Sequence, residues 1–350
     1  GIRSRLHYQG SRALSFLPLA HAYGCAFDML VPLATGTHVT LFGKLPTPAL
    51  LVKAMNQVRP SLIICVPLIL EKIYRKMIVP MISKPSLRWV LAVPVLDKAV
   101  YAMIRSKLVE AFGGAFEEVI VGGAALNPEV EDFLHKIHFP FTVGYGMTEC
   151  GPLISYTPWR RFVPSSAGRV LSNIMEAKIL RDESLGDAEG AQAQGEIMVR
   201  GLNVMKGYYK NPEATEAVLE EDGWLHTGDM GTVGDPQGRT VYIRGRYKTM
   251  ILSANGQNIY PEEIEAKFSN MPYVNECLVV DRDGHLFMLV YPDPESTGDM
   301  TAEEIAEALE KNRKEVNTML APYERIEGVE IMPSEFEKTP KRSIRRFLYK

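Results

Sequence analysis

Apolar residues recur along this chain in two rhythms. In the first part, short unbroken apolar runs alternate with longer stretches of helical period. Residues 13 to 19 read as a strand running into His21. Residues 48 to 58, opened by Pro48 and stopped by Pro60, read as a helix. Residues 61 to 66 form a buried strand, 67 to 77 a helix with Pro67 at its start, and 99 to 112 a helix ended by Gly113-Gly114. Residues 118 to 121 give another strand, 127 to 138 a helix capped by Asn127 with Pro128 in its first turn, and 141 to 143 the next strand. Strand and helix in alternation predict an α/β fold, a layered domain with a mainly parallel sheet over residues 1-160. Ligands then belong at the carboxyl ends of its strands.

Past about residue 160 the period shortens to strands separated by Gly and Asp-Gly turns, at 176 to 180, 195 to 200 and 240 to 243. These predict a small β-barrel-like subdomain over 161-247. A third unit, 248-350, is α+β: a helix at 261 to 269, a hairpin about Asp283-Gly284 and a charged amphipathic helix at 302 to 320.

Composition narrows the class. A chain of 350 residues that is 46% hydrophobic and 23% charged has the balance of a soluble globular protein, and a net charge of -3 argues against nucleic acid as the main partner. The four cysteines, Cys25, Cys65, Cys150 and Cys277, lie far apart without metal-ligand spacing, which reads as reduced thiols in a cytoplasmic protein. Cys150 has no histidine at motif spacing and reads as packing. The most apolar runs, 62 to 70 and 89 to 96, are too short or too interrupted by proline to span a bilayer. The first residues do not read as a signal peptide, and Gly1 in place of Met suggests truncation at the N-terminus.

Candidate chemistry begins at Tyr145-Gly146-Met147-Thr148-Glu149, where the strand at 141 to 143 stops. An aromatic ring, a small residue, a hydroxyl and a carboxylate at a strand end are the parts of a nucleotide site. Gly122-Gly123-Ala124 follows another strand in the same way. Downstream, in order, come His226-Thr227-Gly228-Asp229, Arg244-Gly245-Arg246-Tyr247-Lys248 and the stretch from Asn255-Gly256 to Glu265. Arg244 reads as surface charge. An Asp accepts ribose hydroxyls at other nucleotide sites, and the planar fork of Arg246 suits the same ribose or a phosphate.

This ordered series closely resembles the AMP-forming acyl-CoA synthetases of the adenylate-forming superfamily, most of all the long-chain fatty-acid CoA ligases. The resemblance runs from Phe16-Leu17-Pro18-Leu19-Ala20-His21 to Phe347. It implies ATP, AMP, Mg2+ and CoA as ligands and a fatty acid as substrate. Gly122, Gly123 and Ala124 would border the adenine and Tyr145 would stack on it, with Gly146 giving room. Thr148 would donate to the α-phosphate, Glu149 would hold the Mg2+, and Asp229 with Arg246 would hold the ribose. His21 would sit near the acyl carboxylate, and residues between Tyr23 and Leu30 would help wall the acyl chain. Lys248 would be the hinge of a mobile lid formed by the last hundred residues, and Gly256 would line the CoA channel.

Two departures from the pattern stand out. The Ser/Thr/Gly-rich phosphate loop that relatives carry upstream of the His21 strand is absent from residues 1 to 15, so the chain as written is expected to adenylate very poorly or not at all. Relatives end in a Gly-Lys-Ile type motif whose lysine is catalytic. Here Ser343 stands before Ile344, so either a neighbouring cation, Lys341 first, serves in its place or the first half-reaction is impaired. The same basic cluster suggests peripheral contact with anionic lipid. A binding module without turnover and a ligase for an aryl or short-chain acid are the alternatives.

Overall fold

The computed structural model describes residues 11–43, 47–82, 96–181, 194–234, 239–253, 257–339 and 344–349. Packing divides the chain into two units: Gly1–Glu176 with Val199–Leu225 and Arg239–Tyr242, and Ala177–Met198 with His226–Gly238 and Ile243–Lys350.

The first unit opens with strands β1 (Arg12–Ser15) and β2 (His38–Leu41), paired in parallel. The expected strand at 13 to 19 stops at Ser15 because the N–H groups of Phe16 and Leu17 turn away to donate to Asp28 Oδ2, at 3.0 and 2.9 Å. Next come β3 (Ile63–Cys65), β4 (Val119–Val121) and β5 (Phe141–Val143), a parallel sheet in the order β3-β4-β5. All nine of these residues are buried, as expected of strands covered on both faces. The connections are helical. Pro48–Val58 ends where Arg59 takes a left-handed φ of 52°, and Leu96–Ala111 ends before Gly113 and Gly114, whose φ values of +89° and +67° favour glycine. The cap of Pro128–Lys136 is as read: Asn127 Oδ1 accepts the N–H of Glu129 at 3.0 Å. Ile104, Leu108, Val130 and Leu134 from these helices close over Ile63, Val119, Val121 and Phe141 as one core.

Two irregularities were not foreseen. The helix opening at Pro67 runs as α only to Ile73 and continues as a π-turn, Tyr74–Ile78, and a second π-turn, Cys25–Leu30, interrupts the helical stretch between β1 and β2. Such turns shift the helix phase and leave no mark in a 3.6-residue period.

After β5 the chain forms the short antiparallel pair β6 (Tyr145–Gly146) and β7 (Leu153–Ser155). Then come β8 (Met175–Arg181), β9 (Gly195–Gly201), β10 (Leu225–Val233) and β11 (Val241–Arg246), a sheet in the order β11-β10-β9-β8. The strand β10 was not anticipated, since His226, Thr227, Gly228 and Asp229 interrupt its apolar alternation.

In the second unit β12 (Ile251–Leu252) pairs with β13 (Asn258–Ile259), and the helix Pro261–Phe268 follows. Strands β14 (Val274–Arg282) and β15 (His285–Pro292) form the hairpin, with Asp283 and Gly284 at φ +55° and +85° in its two-residue loop. Strand β16 (Ile326–Ile331) runs parallel to β15, and the helix Ala302–Asn317 makes the crossover, started by a capping box between Thr301 and Glu304. Phe268, Met288, Val290, Leu309, Val316 and Ile326 are its core. Among the described residues no helix is long and apolar enough to cross a membrane.

Candidate active site

Register places the candidate residues of the first unit side by side. Cys65, Val121 and Val143 are partners across β3, β4 and β5, and the ladder continues one residue further as Gly122 N–H donates to Cys65 O at 3.1 Å and Gly144 N–H to Val121 O at 2.9 Å. The carboxyl edge of the sheet therefore sets Val66, Gly122 and Gly144 at one level, with Gly123-Ala124 and Tyr145 to Glu149 following from it along the chain.

The two glycines at this edge have different reasons. A Cβ on Gly122 would lie 3.0 Å from the ring of Tyr23, whose phenol donates to Ile120 O at 3.2 Å, so packing by Tyr23 requires this glycine. Gly123 is exposed and needs its φ of +87°. Tyr23 also meets Phe27 edge-on at 5.6 Å, whereas Leu30 is exposed. His21 is half-buried before the first helical turn and makes no capping bond with its side chain.

Tyr145 is buried, while Gly146 and Thr148 are exposed. Thr148 opens the 3-10 turn Thr148–Cys150, in which Thr148 is exposed, Glu149 half-buried and Cys150 inside. Burial, with the nearby Glu149 carboxylate, pushes the Cys150 thiol up to about 12, which suits a packing residue and not a nucleophile. Glu149 Oε1 accepts the phenol of Tyr208 at 2.9 Å, and its backbone carbonyl accepts the N–H of Met205 at 2.7 Å. Asn203 Nδ2 donates to the carbonyls of Cys150 and Leu153, at 2.6 and 2.9 Å. Burial and the Glu149 carboxylate raise the Tyr208 phenol above its ordinary value. The segment 203 to 208 was missed in the sequence. Its signal was Gly207-Tyr208-Tyr209 placed before Asn211-Pro212, a helix cap that pins the segment.

In the second unit Asp229 is 6% exposed, and its Oδ1 lies 3.2 Å from Arg246 Nε. The two residues expected to share one ribose thus form an ion pair, with the arginine side chain 71% exposed. Beside them His226 Nδ1 lies 2.8 Å from Glu196 Oε2, and Glu196 Oε1 accepts Gly228 N–H at 2.8 Å, which fixes the backbone of the motif. Lys248 is exposed in the 3-10 turn Tyr247–Thr249. Arg244 meets Glu263 at 3.5 Å, in keeping with surface charge. Gly256, Lys341 and Ser343 lie outside the described residues. Of the basic cluster at the end, Arg346 is paired with Glu265 and Arg345 with Glu337, which reduces the charge left for an anionic surface.

The donor set fits a hard cation taken with a nucleotide. No group of three acidic, His or Cys side chains that could hold a metal exists among the described residues. Mg2+ is commonly held by one or two carboxylates together with substrate phosphates, and Glu149 beside an exposed Thr148 hydroxyl matches that mode.

A parallel sheet β3-β4-β5 packed against helices defines an α/β protein, the class in which ligands are commonly met at the carboxyl ends of the strands. Residues 2–209 match the family model for AMP-binding enzymes, and residues 248–349 match that for the AMP-binding enzyme C-terminal domain. The chain belongs to the AMP-binding enzymes, the adenylate-forming superfamily. It is 35% identical to 4-coumarate-CoA ligase 2 of Narcissus pseudonarcissus over 237 residues, 64% of this chain and 41% of that protein. It is 30% identical to long-chain-fatty-acid–CoA ligase 2 of Schizosaccharomyces pombe over 306 residues, 81% of this chain and 44% of the relative. The chain therefore spans less than half the length of these curated relatives. The adenylation domain of a carboxylate reductase from Mycobacterium chelonae superposes with a TM-score of 0.75 at 22% identity, covering 97% of this chain and 52% of that one. O-succinylbenzoate coenzyme A synthetase from Bacillus subtilis, in complex with AMP, gives 0.71 at 22%, covering 100% and 62%.

Proposed function

We propose that the intact protein is an AMP-forming acid–CoA ligase and that its acid is a long-chain fatty acid. The observation that carries this reading is the parallel sheet β3-β4-β5 of a chain of the AMP-binding family, with Gly123 following the carboxyl end of β4 and the Thr148–Glu149 turn following a few residues after β5.

A carboxylate is a poor acyl donor, and reaction with ATP makes it a mixed anhydride with AMP, releasing pyrophosphate. The CoA thiol then attacks the same carbonyl and AMP leaves. In this reading the exposed Thr148 hydroxyl donates to the α-phosphate, Tyr145 with Gly122 to Ala124 and Gly146 bounds the adenine, and Asp229 with Arg246 holds the ribose. Glu149 holds Mg2+, which when bound offsets the negative charge of the phosphates. His21 lies toward the acyl carboxylate, Lys341 takes the place of the tail lysine, and Gly256 lines the thiol channel. Pyrophosphate and CoA cannot be served by one arrangement of the C-terminal residues, so rotation about Lys248 is part of the proposal. The match of a separate C-terminal family model beginning at Lys248 supports that boundary.

The fatty-acid assignment draws on the relative aligned over the larger share of the chain, and the 4-coumarate ligases favour an aryl acid as the second reading. Acid-dependent exchange of pyrophosphate into ATP, measured on the intact gene product with palmitate, 4-coumarate and acetate, separates them. Exchange strongest with palmitate is expected. Strongest exchange with 4-coumarate transfers the assignment to the aryl acids, and none with any acid leaves a nucleotide-binding module.

A further inference from the structure

Four hydrogen bonds from one short segment converge on the turn that carries Glu149. Two come from Asn203 Nδ2 to the Cys150 and Leu153 carbonyls, one from Met205 N–H to the Glu149 carbonyl, and one from the Tyr208 phenol to Glu149 Oε1. Tyr208 is itself held from behind. Its N–H donates to Thr215 Oγ1 at 2.9 Å, and that hydroxyl donates to Asn211 O at 2.8 Å. Asn211 caps the helix Pro212–Glu216 by accepting the Ala214 N–H at 3.1 Å. At Gly207 a Cβ would come within 2.9 Å of the Thr215 methyl, so the chain entering Tyr208 passes tight against its anchor. Tyr208 is 38% exposed, so packing alone gives it little reason to stay where it is.

The chemistry of this contact is specific. A lysine or arginine at the same place would orient the carboxylate and also offset its charge, whereas a phenol donates one hydrogen bond and leaves the charge in place. With one oxygen engaged, rotation about the last side-chain torsion of Glu149 is restrained and the second oxygen keeps a fixed direction.

We propose that Tyr208 is a positioning residue for the divalent cation of this site, fixing the Glu149 carboxylate so that one oxygen is presented to the metal that accompanies ATP. This rests on the reading of Glu149 as the cation ligand. Partners that orient metal ligands typically govern ten- to a hundredfold in metal affinity.

The test uses the intact protein with Mn2+ as the probe, comparing the affinity for ATP with Mn2+ and with EDTA, and following the bound Mn2+ signal by electron paramagnetic resonance. Tyr208→Phe is expected to leave ATP affinity in EDTA unchanged and to cut the gain from Mn2+ roughly tenfold. Glu149→Gln should remove more of that gain, and the double variant should be no weaker than Glu149→Gln alone, because Tyr208 acts through that carboxylate. Thr215→Ala, which loosens the Tyr208 backbone and leaves the phenol, should give a smaller shift in the same direction, and melting curves establish that each variant is folded. An unchanged Mn2+ gain in Tyr208→Phe, or additive losses in the double variant, overturns the positioning role alone. If Glu149→Gln binds Mn2+-ATP like the parent, the site reading itself fails and the inference falls with it.

Discussion

At the scale of the residue, Asp229 makes the sharpest claim. Its carboxylate is buried, and its arginine partner stands mostly in water, so the ion pair by itself supplies little stability. In the proposed function both residues meet the ribose of ATP. In the intact protein Asp229→Ala is expected to weaken ATP binding by about 1 to 3 kcal/mol, the cost of leaving hydrogen-bonding groups of a buried site unpaired. Titration calorimetry with ATP checks this, and unchanged affinity would show that the ribose is held elsewhere. The arginine is a poorer object for the same experiment, because its exposed side chain can be replaced in part by water. Sequence could reach Asp229 and Arg246 since each sits in a string of unusual composition. It could not reach Tyr208 or Asn203, because their roles arise from contacts some fifty positions away, with Glu149, Cys150 and Leu153.

At the scale of the element, starts and stops were easier to read than interiors. Proline at the first turn, Asn127 as a cap and the Gly113-Gly114 stop are local chemistry, and each stands where it was read. The three strands of the parallel sheet were legible because burial on both faces leaves them wholly apolar. By contrast β10 carries His226, Thr227 and Asp229, whose polarity is satisfied by partners that no local pattern reveals: Glu196 for the histidine, the Ile197 carbonyl for the Thr227 hydroxyl and Arg246 for the aspartate. The π-turns at Cys25–Leu30 and Tyr74–Ile78 escape for a related reason, since tertiary packing decides the extra residue. The Asn127 cap can be measured directly. Asn127→Ala removes the acceptor for Glu129 N–H while keeping the backbone bond from Asn127 to Glu71 Oε1, so a loss of about 1 kcal/mol is expected in urea unfolding of the first unit. A loss below about 0.3 kcal/mol would mean that water or the protein backbone replaces the side chain.

At the scale of the whole molecule, the described residues 344–349 are tied into the second unit. Phe336 and Tyr349 meet edge-on at 5.0 Å, Lys338 and Ile344 form an antiparallel bridge, and Arg346 reaches Glu265 on the helix Pro261–Phe268. Glu265 Oε1 also accepts the N–H of Val279 in β14 at 2.7 Å, so one half-buried carboxylate joins Arg346 to the sheet. Burial pushes its carboxyl from 4.5 up to about 7, against the opposing pull of Arg346. A folded value above the unfolded one means that the native state keeps a proton the unfolded chain has released, so this group's contribution falls as pH rises from about 4.5 to 7. Replacing Arg346 with Leu removes the cation that faces Glu265 and, at 3.7 Å, Glu262, and it is the ionised form of Glu265 that depends on it most. At pH 5 the carboxyl is neutral and little should change. At pH 8 an unpaired charge is left buried, and the second unit should lose about 3 kcal/mol or more, or expel Glu265 from its place. Because the chain forms two units, a single melting temperature would blur this effect, and hydrogen exchange at the amides of β14 and β15 resolves it. Exchange there should accelerate at pH 8 far more than at pH 5, after correction for intrinsic rates, while β3, β4 and β5 stay protected. Equal acceleration at both pH values would show that Arg346 acts by packing and that the Glu265 charge has no part in holding the chain's end.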